Sequence, residues 1–372
     1  MSSKINLLNT TLDFKEIKAI KKVINNNYLT ESVETKKFEK NFQKKFGKKN
    51  IFSVSNWTAG ILIIIKNLNL KNDDHIIIPN ITFFTTLSAA IWCNCKVVLC
   101  DVDSNNLSLD LEKLKKKITK KTKAIITVHL HGYCCEMDKL VKICKEKKIT
   151  LIEDAAQALG SFYKKKRLGF LGDYGGFSFY GNKIITTGEG GIVYSKSEKN
   201  LIKLRRLKNA GRLVNGTYKH ESIGLNFRFT EIQAAIGNVQ LKRLNGIIKK
   251  KKDIYNYYKK RLVENSPNVF EFKKLKENKT NYWISLFSFK KKTKLRDYLN
   301  KHGVMAKDYF IPLNKQPALK GTTNVLNLKD KFPISEFIYN TSLILPSGPN
   351  LSSKELKYIC DKIIYFYNNK IN

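Results

Sequence analysis

No apolar stretch of this sequence approaches the roughly 20 residues that a membrane-spanning helix needs, and its first residues lack the apolar segment of a secretory signal. Seven cysteines form no Cys-x-x-Cys pair, and their number is odd. The simplest interpretation is a set of reduced thiols in a cytoplasmic protein. The sequence therefore predicts a cytoplasmic location and no membrane partner.

Acidic residues are also scarce: 31 Asp and Glu stand against 69 Lys and Arg, so the formal net charge is +38. Such an excess favours a nucleic-acid or other polyanion partner. The lysines are scattered, however, and no zinc-finger, RNP or basic-leucine-zipper pattern is present. Because Lys, Asn and Ile are abundant together, we expect codon bias in an AT-rich genome and no specific nucleic-acid partner. A non-catalytic polyanion-binding protein stays open as an alternative.

What the sequence does contain is an alternation of short β-branched runs and helical stretches. Several of the runs are apolar on both faces, as buried parallel strands are. Helices are predicted at residues 111–118 and 137–147. Strands are predicted at residues 75–79, 96–101, 124–130, 150–153, 176–179 and 191–194. This βαβ pattern predicts an α/β fold with a mostly parallel central sheet.

The character of the sequence changes near residue 230. Thr230 and Gln233 have the spacing of a capping box, and apolar residues then recur at roughly helical spacing as far as Leu244. We expect this long helix to lead out of a large domain, residues 1–245, which includes the N-terminal segment. Residues 246–372 would then form a smaller C-terminal α/β domain, with a strand near residues 282–289.

The segment with the clearest chemical meaning is Ser-Phe-Tyr-Gly-Asn-Lys at residues 178–183, followed by the glycine-rich Thr-Thr-Gly-Glu-Gly-Gly at residues 186–191. The backbone must bend closely behind Lys183, and aromatic residues precede it. Apolar surroundings disfavour the charged form of an amine and so make it a better nucleophile. Lys183 is therefore a candidate Schiff-base lysine, and an ordinary surface lysine is the alternative.

Asp154 follows the predicted strand 150–153, and small residues come after it. Open parallel sheets bind ligands at the carboxyl ends of their strands. A buried carboxylate there needs a cationic partner, and a protonated pyridine nitrogen would serve because the ring then acts as an electron sink. The alternative is that Asp154 caps the next helix.

A candidate anion site lies at residues 55–60, between the short run 51–54 and an apolar helix predicted at residues 61–70. Small hydroxyl residues at a helix N-terminus bind anions through free backbone N–H groups and the helix dipole. Ser178 could add a hydroxyl to the same phosphate. A plain N-cap is the alternative.

Three weaker signals have ordinary alternatives. Phe83 follows a predicted strand and could stack on a cofactor ring, or it could be a core residue. Residues 224–228 form a polar patch before the long helix, or an ordinary loop. His129 and His131 alternate at a strand end, but without further ligands nearby we expect no metal site.

In this order along the chain, these segments resemble the DegT/DnrJ/EryC1/StrS family of sugar-nucleotide aminotransferases, which are pyridoxal-phosphate enzymes of fold type I. The resemblance covers nearly the whole chain, from Tyr-Leu-Thr at residues 28–30 to Leu-Pro-Ser at residues 345–347. It implies a large domain with a mostly parallel sheet, a smaller C-terminal domain and pyridoxal 5'-phosphate as cofactor.

The resemblance also implies a role for each residue of the site. Lys183 would form the Schiff base, Asp154 would pair with the pyridine nitrogen, and Gln157 would lie near the phenolic oxygen of the ring. Phe83 would stack on the ring. The phosphate would be held by Thr58, the backbone of Trp57, Ser178 and, from the neighbouring subunit, Asn226. The implied assembly is a homodimer with shared active sites, in which Thr30 and Asn314 are candidates for contacting the substrate.

The implied activity is transfer of the amino group of L-glutamate to a nucleotide-linked 4-keto-6-deoxy sugar, as in deoxyamino-sugar and polysaccharide biosynthesis. Within the family, residues 179–191 most resemble the enzymes that form GDP-perosamine from GDP-4-keto-6-deoxymannose. A keto sugar linked to UDP or dTDP, a 3-keto sugar and a cyclitol stay open as substrates. Two departures bear on this choice: Trp57 stands where the family usually has a small residue, and Asn314 stands where histidine is typical.

Overall fold

The computed structural model describes residues 4–213 and 216–369. The strands are β1 (Ile51–Val54), β2 (His75–Pro79), β3 (Lys96–Cys100), β4 (Thr122–Val128), β5 (Thr150–Asp154), β6 (Phe162–Tyr163), β7 (Lys166–Arg167), β8 (Tyr174–Ser178), β9 (Gly191–Ser195), β10 (Val269–Phe270), β11 (Asn278–Lys279), β12 (Ser285–Phe289), β13 (Lys307–Asp308) and β14 (Ser342–Leu345). The helices are α1 (Phe14–Asn25), α2 (Val33–Phe46), α3 (Trp57–Asn67), α4 (Thr85–Trp92), α5 (Leu111–Lys117), α6 (Met137–Lys147), α7 (Glu198–Lys208), α8 (Glu231–Tyr258), α9 (Lys292–Lys301), α10 (Pro333–Thr341) and α11 (Ser353–Asn368).

The main sheet has the strand order β1-β9-β8-β5-β4-β2-β3. Strands β8, β5, β4, β2 and β3 run parallel, whereas β9 lies antiparallel to both β8 and β1. Its strands are buried because parallel strands are joined by crossovers that place helices on the faces of the sheet. The expected α/β fold with a mostly parallel sheet is therefore confirmed.

The register of this sheet gathers polar residues at one edge. Val128 pairs with Asp154 in the ladder between β4 and β5, and Asp154 pairs with Gly176 in the ladder between β5 and β8. The carboxyl ends of these three parallel strands therefore meet. Asp154, at the end of β5, and Ser178, at the end of β8, lie at the same edge of the sheet.

A second sheet, in the order β10-β12-β14-β13, packs with α9 and α11 around a smaller core. Helix α8 connects the two cores, since Leu244 packs in the larger core and Ile254 in the smaller one. The larger core also takes in side chains from residues 309–338. The domain division between residues 245 and 246 falls inside α8 and stays a prediction.

Several predicted bounds differ from those observed. The helix predicted at residues 61–70 begins at Trp57 and ends at Asn67, because the side chain of Asn56 caps its first turn. The strand predicted at 282–289 begins at Ser285, because Tyr282 adopts a left-handed φ of 53° that does not fit a strand. The capping box of Thr230 and Gln233 is confirmed at the start of α8. Among the described residues, no helix is long and apolar enough to cross a membrane.

Candidate active site

A cleft of about 740 Å³ opens at the carboxyl edge of the main sheet. Segments from both halves of the chain line it, including the turn after β8 and the residues around β13. Seven of the predicted site residues line this cleft: Trp57, Thr58, Phe83, Asp154, Gln157, Ser178 and Lys183. Residues that are up to 126 positions apart in sequence are thus brought to one place by the sheet topology.

Lys183 lies in the turn that follows β8, where its backbone N–H donates to the carbonyl of Tyr180 at 2.9 Å. Its Nζ lies 3.9 Å from the ring centroid of Trp283. Loss of hydration around the enclosed amine lowers the pKa of Lys183 to about 8, although the negative charge of Asp154 acts in the opposite direction. The amine is therefore neutral far more often at neutral pH than an ordinary lysine.

The glycine-rich turn behind Lys183 depends on the absence of side chains. Gly188 has a φ of 80° and Gly190 a φ of 155°, both in the region that favours glycine. A Cβ on Gly190 would lie 2.3 Å from Oγ1 of Thr187 and 2.7 Å from the ring of Phe229. A larger residue there would displace the segment that returns from Lys183 into β9.

Asp154 is buried at the end of β5, with 4% of its surface exposed. Its Oδ1 accepts from the indole N–H of Trp57 at 2.8 Å and from the backbone N–H of Ala156 at 3.2 Å. Its Oδ2 accepts from Oγ1 of Thr86 at 2.8 Å. No helix begins in residues 155–160, which contain two short turns, so the interpretation of Asp154 as a helix cap is wrong. A buried carboxylate with these neutral donors can still take a cationic partner.

The N-terminus of α3 faces the same cleft. Asn56 is the N-cap, and its Oδ1 accepts from the backbone N–H of Ala59 at 2.9 Å. The first N–H groups of a helix have no partner within the helix and favour an anion. Thr58 and Ser178 both line the cleft, and the Ser178 oxygen accepts from the backbone N–H of Tyr180 at 3.2 Å. The Ser178 hydroxyl hydrogen is then available to a further acceptor.

Phe83 and Gln157 lie on the walls of the cleft. Phe83 has 56% of its surface exposed, so its interpretation as a core residue is wrong. Its ring lies 6.2 Å from that of Phe310, which also lines the cleft. Gln157 is buried, and its Oε1 accepts from the backbone N–H of His131 at 3.1 Å. This contact leaves the NH₂ group of Gln157 as the donor that it can offer.

The two histidines at the end of β4 have protein partners. His129 Nε2 lies 2.8 Å from a carboxylate oxygen of Glu153, and His131 Nε2 lies 2.7 Å from the hydroxyl of Tyr309. Burial lowers the pKa of His131 to about 3, and the charge of Lys183 acts in the same direction. In residues 4–213 and 216–369, no group of three or more His, Cys, Asp or Glu side chains is arranged to hold a metal ion.

Three predicted site residues lie outside the cleft. Thr30 is exposed beside the first residue of α8, where the carbonyl of Leu29 accepts from the Glu231 N–H at 2.9 Å. The Asn314 side chain is held by Asn80, whose Nδ2 donates to its Oδ1 at 2.9 Å. Asn226 is exposed and forms an isolated bridge with Asn209. Their roles stay predictions.

Among the cleft residues that the sequence does not single out, Thr86 and Trp283 contact the predicted site residues directly. Thr86 lies in the first turn of α4, next to Thr85, and nothing in a Thr-Thr pair indicates a contact with a strand end 68 positions away. Trp283 lies just before β12, and its indole N–H donates to the carbonyl of Asn182 at 2.7 Å. The only signal for Trp283 in the sequence is an aromatic residue within the strand predicted at residues 282–289.

The chain is similar to several known enzymes. The chain is 32% identical over 339 residues to the GDP-perosamine synthase of Vibrio cholerae, a match that covers 89% of this chain and 90% of that protein. It is 30% identical over 354 residues to the dTDP-3-amino-3,6-dideoxy-alpha-D-galactopyranose transaminase of Aneurinibacillus thermoaerophilus, covering 94% of both. The structure of PseC of Helicobacter pylori, an aminotransferase involved in the biosynthesis of pseudoaminic acid, superposes with a TM-score of 0.92 at 24% identity, covering 99% of this chain and 100% of that one.

The family model of the DegT/DnrJ/EryC1/StrS aminotransferases matches residues 10–364. This match confirms the expected enzyme class and its cofactor, pyridoxal phosphate. It also favours an enzyme over the non-catalytic alternative that the high charge left open. The chain belongs to the DegT/DnrJ/EryC1/StrS aminotransferase family.

Proposed function

We propose that this sugar aminotransferase converts GDP-4-keto-6-deoxy-D-mannose to GDP-perosamine, with L-glutamate as the amino donor. The observation that carries the proposal is the meeting of Lys183 and Asp154 in one cleft with the N-terminus of α3. The GDP-perosamine synthase of Vibrio cholerae, at 32% identity, supports the choice of substrate. A cytoplasmic location is part of the proposal.

The residues of the cleft fit pyridoxal phosphate. Asp154 would hold the pyridine nitrogen, and Lys183 would bind the aldehyde carbon. The N-terminus of α3, with Thr58 and Ser178, would receive the phosphate, which is a dianion near neutral pH. The exposed face of Phe83 and the NH₂ group of Gln157 would contact the ring. When bound, the cofactor supplies an electron sink for the bond that breaks at the carbon carrying nitrogen.

Lys183 is suited to move the proton. With a pKa of about 8, about a tenth of its amine is neutral at pH 7, against roughly one part in three thousand for a lysine at 10.5. A neutral amine would take a proton from the α-carbon of the donor and, once charged, would give it to the cofactor's C4′ carbon, on the other side of the nitrogen. The ring of Trp283 over Nζ stabilises the charged state between these transfers.

The acceptor would enter along the side of the cleft formed by residues 307–311 and Gln316. Among the described residues that line the cleft, the cations are Lys183 and Lys307. Lys307 is exposed and is not needed by the cofactor, so it is available to the phosphates of a nucleotide sugar. A net charge of +38 would attract such an anionic substrate.

The alternative is a different keto sugar nucleotide. The relative from Aneurinibacillus thermoaerophilus is named for a dTDP-linked 3-amino sugar, at 30% identity, so this chain could act on a dTDP- or UDP-linked sugar or at the C3 position.

A substrate panel separates these possibilities. The purified holoenzyme is incubated with L-glutamate and, one at a time, with GDP-, UDP- and dTDP-linked 4-keto-6-deoxy sugars and 3-keto sugars, and products are identified by mass spectrometry. We expect the amino sugar only from GDP-4-keto-6-deoxymannose, together with one 2-oxoglutarate per turnover. Amination of a UDP- or dTDP-linked sugar alone would contradict the proposed GDP-linked substrate but would still support the aminotransferase activity.

We also propose a homodimer in which Asn226 reaches the cofactor phosphate of the neighbouring subunit. Asn226 is exposed, and nearby Tyr218 and Ile223 have 93% and 94% of their surfaces exposed, which is unusual for large apolar side chains. The backbone N–H of Ser55 donates to the carbonyl of Phe227 at 2.9 Å, so this loop lies close to the start of α3 in its own subunit.

Sedimentation of the apo and cofactor-loaded protein tests the shared site. Cofactor should stabilise the dimer by linkage, and Asn226→Ala should weaken cofactor retention more than turnover at saturating cofactor. A loaded protein that stays monomeric and fully active would contradict the proposal.

A further inference from the structure

Trp57 combines two features that its position in the chain does not explain. It lies in the first turn of α3, where the resemblance leads us to expect a small residue with only a backbone role. Yet its side chain is buried, with 5% exposed, and its indole N–H donates to Oδ1 of Asp154 at 2.8 Å across 97 positions of sequence. Trp57, which has the largest type of side chain, thus contacts Asp154, the carboxylate that would pair with the cofactor nitrogen.

The protein makes room for this indole. A Cβ on Gly176 would lie 1.9 Å from Cζ3 of Trp57, and a Cβ on Gly60 would lie 2.7 Å from its Cε3. Gly176 belongs to β8 and Gly60 to α3, so a strand and a helix both lack a side chain where the ring packs. The indole is therefore held in one orientation by its surroundings, and its N–H group is a fixed donor.

The donors around Asp154 divide between its two oxygens. Oδ1 accepts from Trp57 and from the backbone N–H of Ala156, whereas the one donor to Oδ2 among the described residues is Thr86. A carboxylate oxygen can accept two hydrogen bonds, so Oδ1 is filled and Oδ2 keeps one free position. The arrangement assigns the next donor, a protonated ring nitrogen, to Oδ2.

We propose that Trp57 is a positioning residue for Asp154. Before the cofactor binds, its indole holds the carboxylate in the orientation that meets the cofactor nitrogen. This inference rests on the proposed role of Asp154. Without the indole donor, the longer bond from Ala156 and the Thr86 hydroxyl would hold the carboxylate less firmly, and cofactor binding would then have to order it further. Pre-orientation of this kind appears as affinity, because the cost of ordering is removed.

The test is a double-mutant cycle on cofactor affinity, measured by titrating the apo protein with pyridoxal phosphate and following its absorbance. Trp57→Phe keeps an aromatic ring between the two glycines and removes the N–H group. We expect it to raise the dissociation constant at least about tenfold, as for the loss of one hydrogen bond to a buried charge. In an Asp154→Ala background, the same change should have no further effect.

Each outcome decides between specific alternatives. Equal effects of Trp57→Phe in both backgrounds would mean that the ring only packs, and the proposal would be overturned. If Asp154→Ala left cofactor affinity unchanged, the role of Asp154 in the proposed function would fail, and this inference with it. If Asp154→Ala weakened binding and Trp57→Phe did not, only the role of Trp57 would fail.

A second measurement guards against a folding defect. Thermal unfolding of each apo variant shows whether it is folded. Site-specific replacement of Trp57 by β-(3-benzothienyl)alanine, in which sulfur replaces the N–H group, keeps the shape of the indole. The same tenfold loss of affinity in this variant would support the proposal, and wild-type affinity would overturn it.

Discussion

Loss of hydration lowers the pKa of two lysines of this protein, Lys183 and Lys251, which differ in what surrounds the amine. Lys251, in α8, donates to the main-chain carbonyls of Trp283 and Ser347, both at 2.8 Å, and burial lowers its pKa to about 7. Lys183 has a pKa of about 8, and its amine faces a ring and the cleft. Burial alone therefore does not make a reactive lysine; an open cleft beside the amine does.

The two amines also differ in how their hydrogens are used. A neutral amine has two N–H groups and one lone pair, and Lys251 offers those two hydrogens to two carbonyls. It ties α8 to the segment before β12 and to the loop after β14, and only 3% of its surface is exposed. Trp283 joins the two environments, since its carbonyl binds Lys251 and its ring lies over Lys183.

The largest expected effect distinguishes the two lysines directly. Lys183→Ala should lower turnover by roughly 10⁴-fold or more, because it would remove both the proposed covalent partner of the cofactor and the group proposed to move the proton. Borohydride reduction of the loaded enzyme followed by peptide mapping should place the cofactor on Lys183 in the wild type. Lys251→Met is the matched control and should carry the same adduct. An adduct on any other lysine would show that the assignment is wrong.

The next effect concerns Asp154, whose negative charge acts on Lys183. Asp154→Asn keeps the shape of the side chain and loses its charge, so the ring nitrogen loses the anion that keeps it protonated. We expect turnover to fall by about 10²–10³, as for removal of one electrostatic stabiliser. Steady-state kinetics at saturating cofactor measure this, and near-normal turnover would contradict the role of Asp154.

A smaller effect concerns the pH dependence of stability. The pKa of Lys251 is about 7 in the folded chain and 10.5 in an unperturbed lysine, so between these values the unfolded chain binds a proton that the folded chain does not. Unfolding then takes up a proton, and the free energy of unfolding rises with pH by up to about 1.4 kcal/mol per unit.

Lys251→Met should remove this contribution. We expect the free energy of unfolding of the wild-type apo protein to rise relative to that of the variant from pH 7 to pH 10. Urea unfolding at several pH values measures both. Other titrating groups, including Lys183, cancel in that difference. A difference that stays constant over this range would show that the amine of Lys251 does not lose its proton on folding.

The same contrast explains what could be predicted from the sequence. Lys183 and Asp154 were found because each follows a strand in a short, informative motif, and the parallel sheet brings strand ends together. Lys251 lies in a run of lysines at residues 249–252, and only its long-range contacts single it out.

Other contacts between residues far apart in the sequence could not be predicted either. The bond between Trp57 and Asp154 spans 97 positions, and that between Asn80 and Asn314 spans 234. Neither pair has a local signal, because each depends on how the sheet brings distant loops together. The role proposed for Asn226 would depend on a second subunit, which one chain does not contain.

The smallest effect concerns Trp283, where the two environments meet. Trp283→Phe keeps an apolar ring over the Lys183 amine, removes the hydrogen bond to the Asn182 carbonyl and weakens the attraction between the ring and the charged amine. Because that attraction favours the protonated form, we expect the pKa of Lys183 to fall below about 8, by less than about one unit.

Rates of labelling of the Lys183 amine by acetic anhydride in the apo protein, followed by mass spectrometry across pH 6–10, give this pKa. Trp92→Phe, at a tryptophan with 83% of its surface exposed, is the control and should leave it unchanged. A rise in the pKa of Lys183 would instead mean that Trp283 acts mainly by excluding water, since a better-hydrated amine holds its proton more strongly.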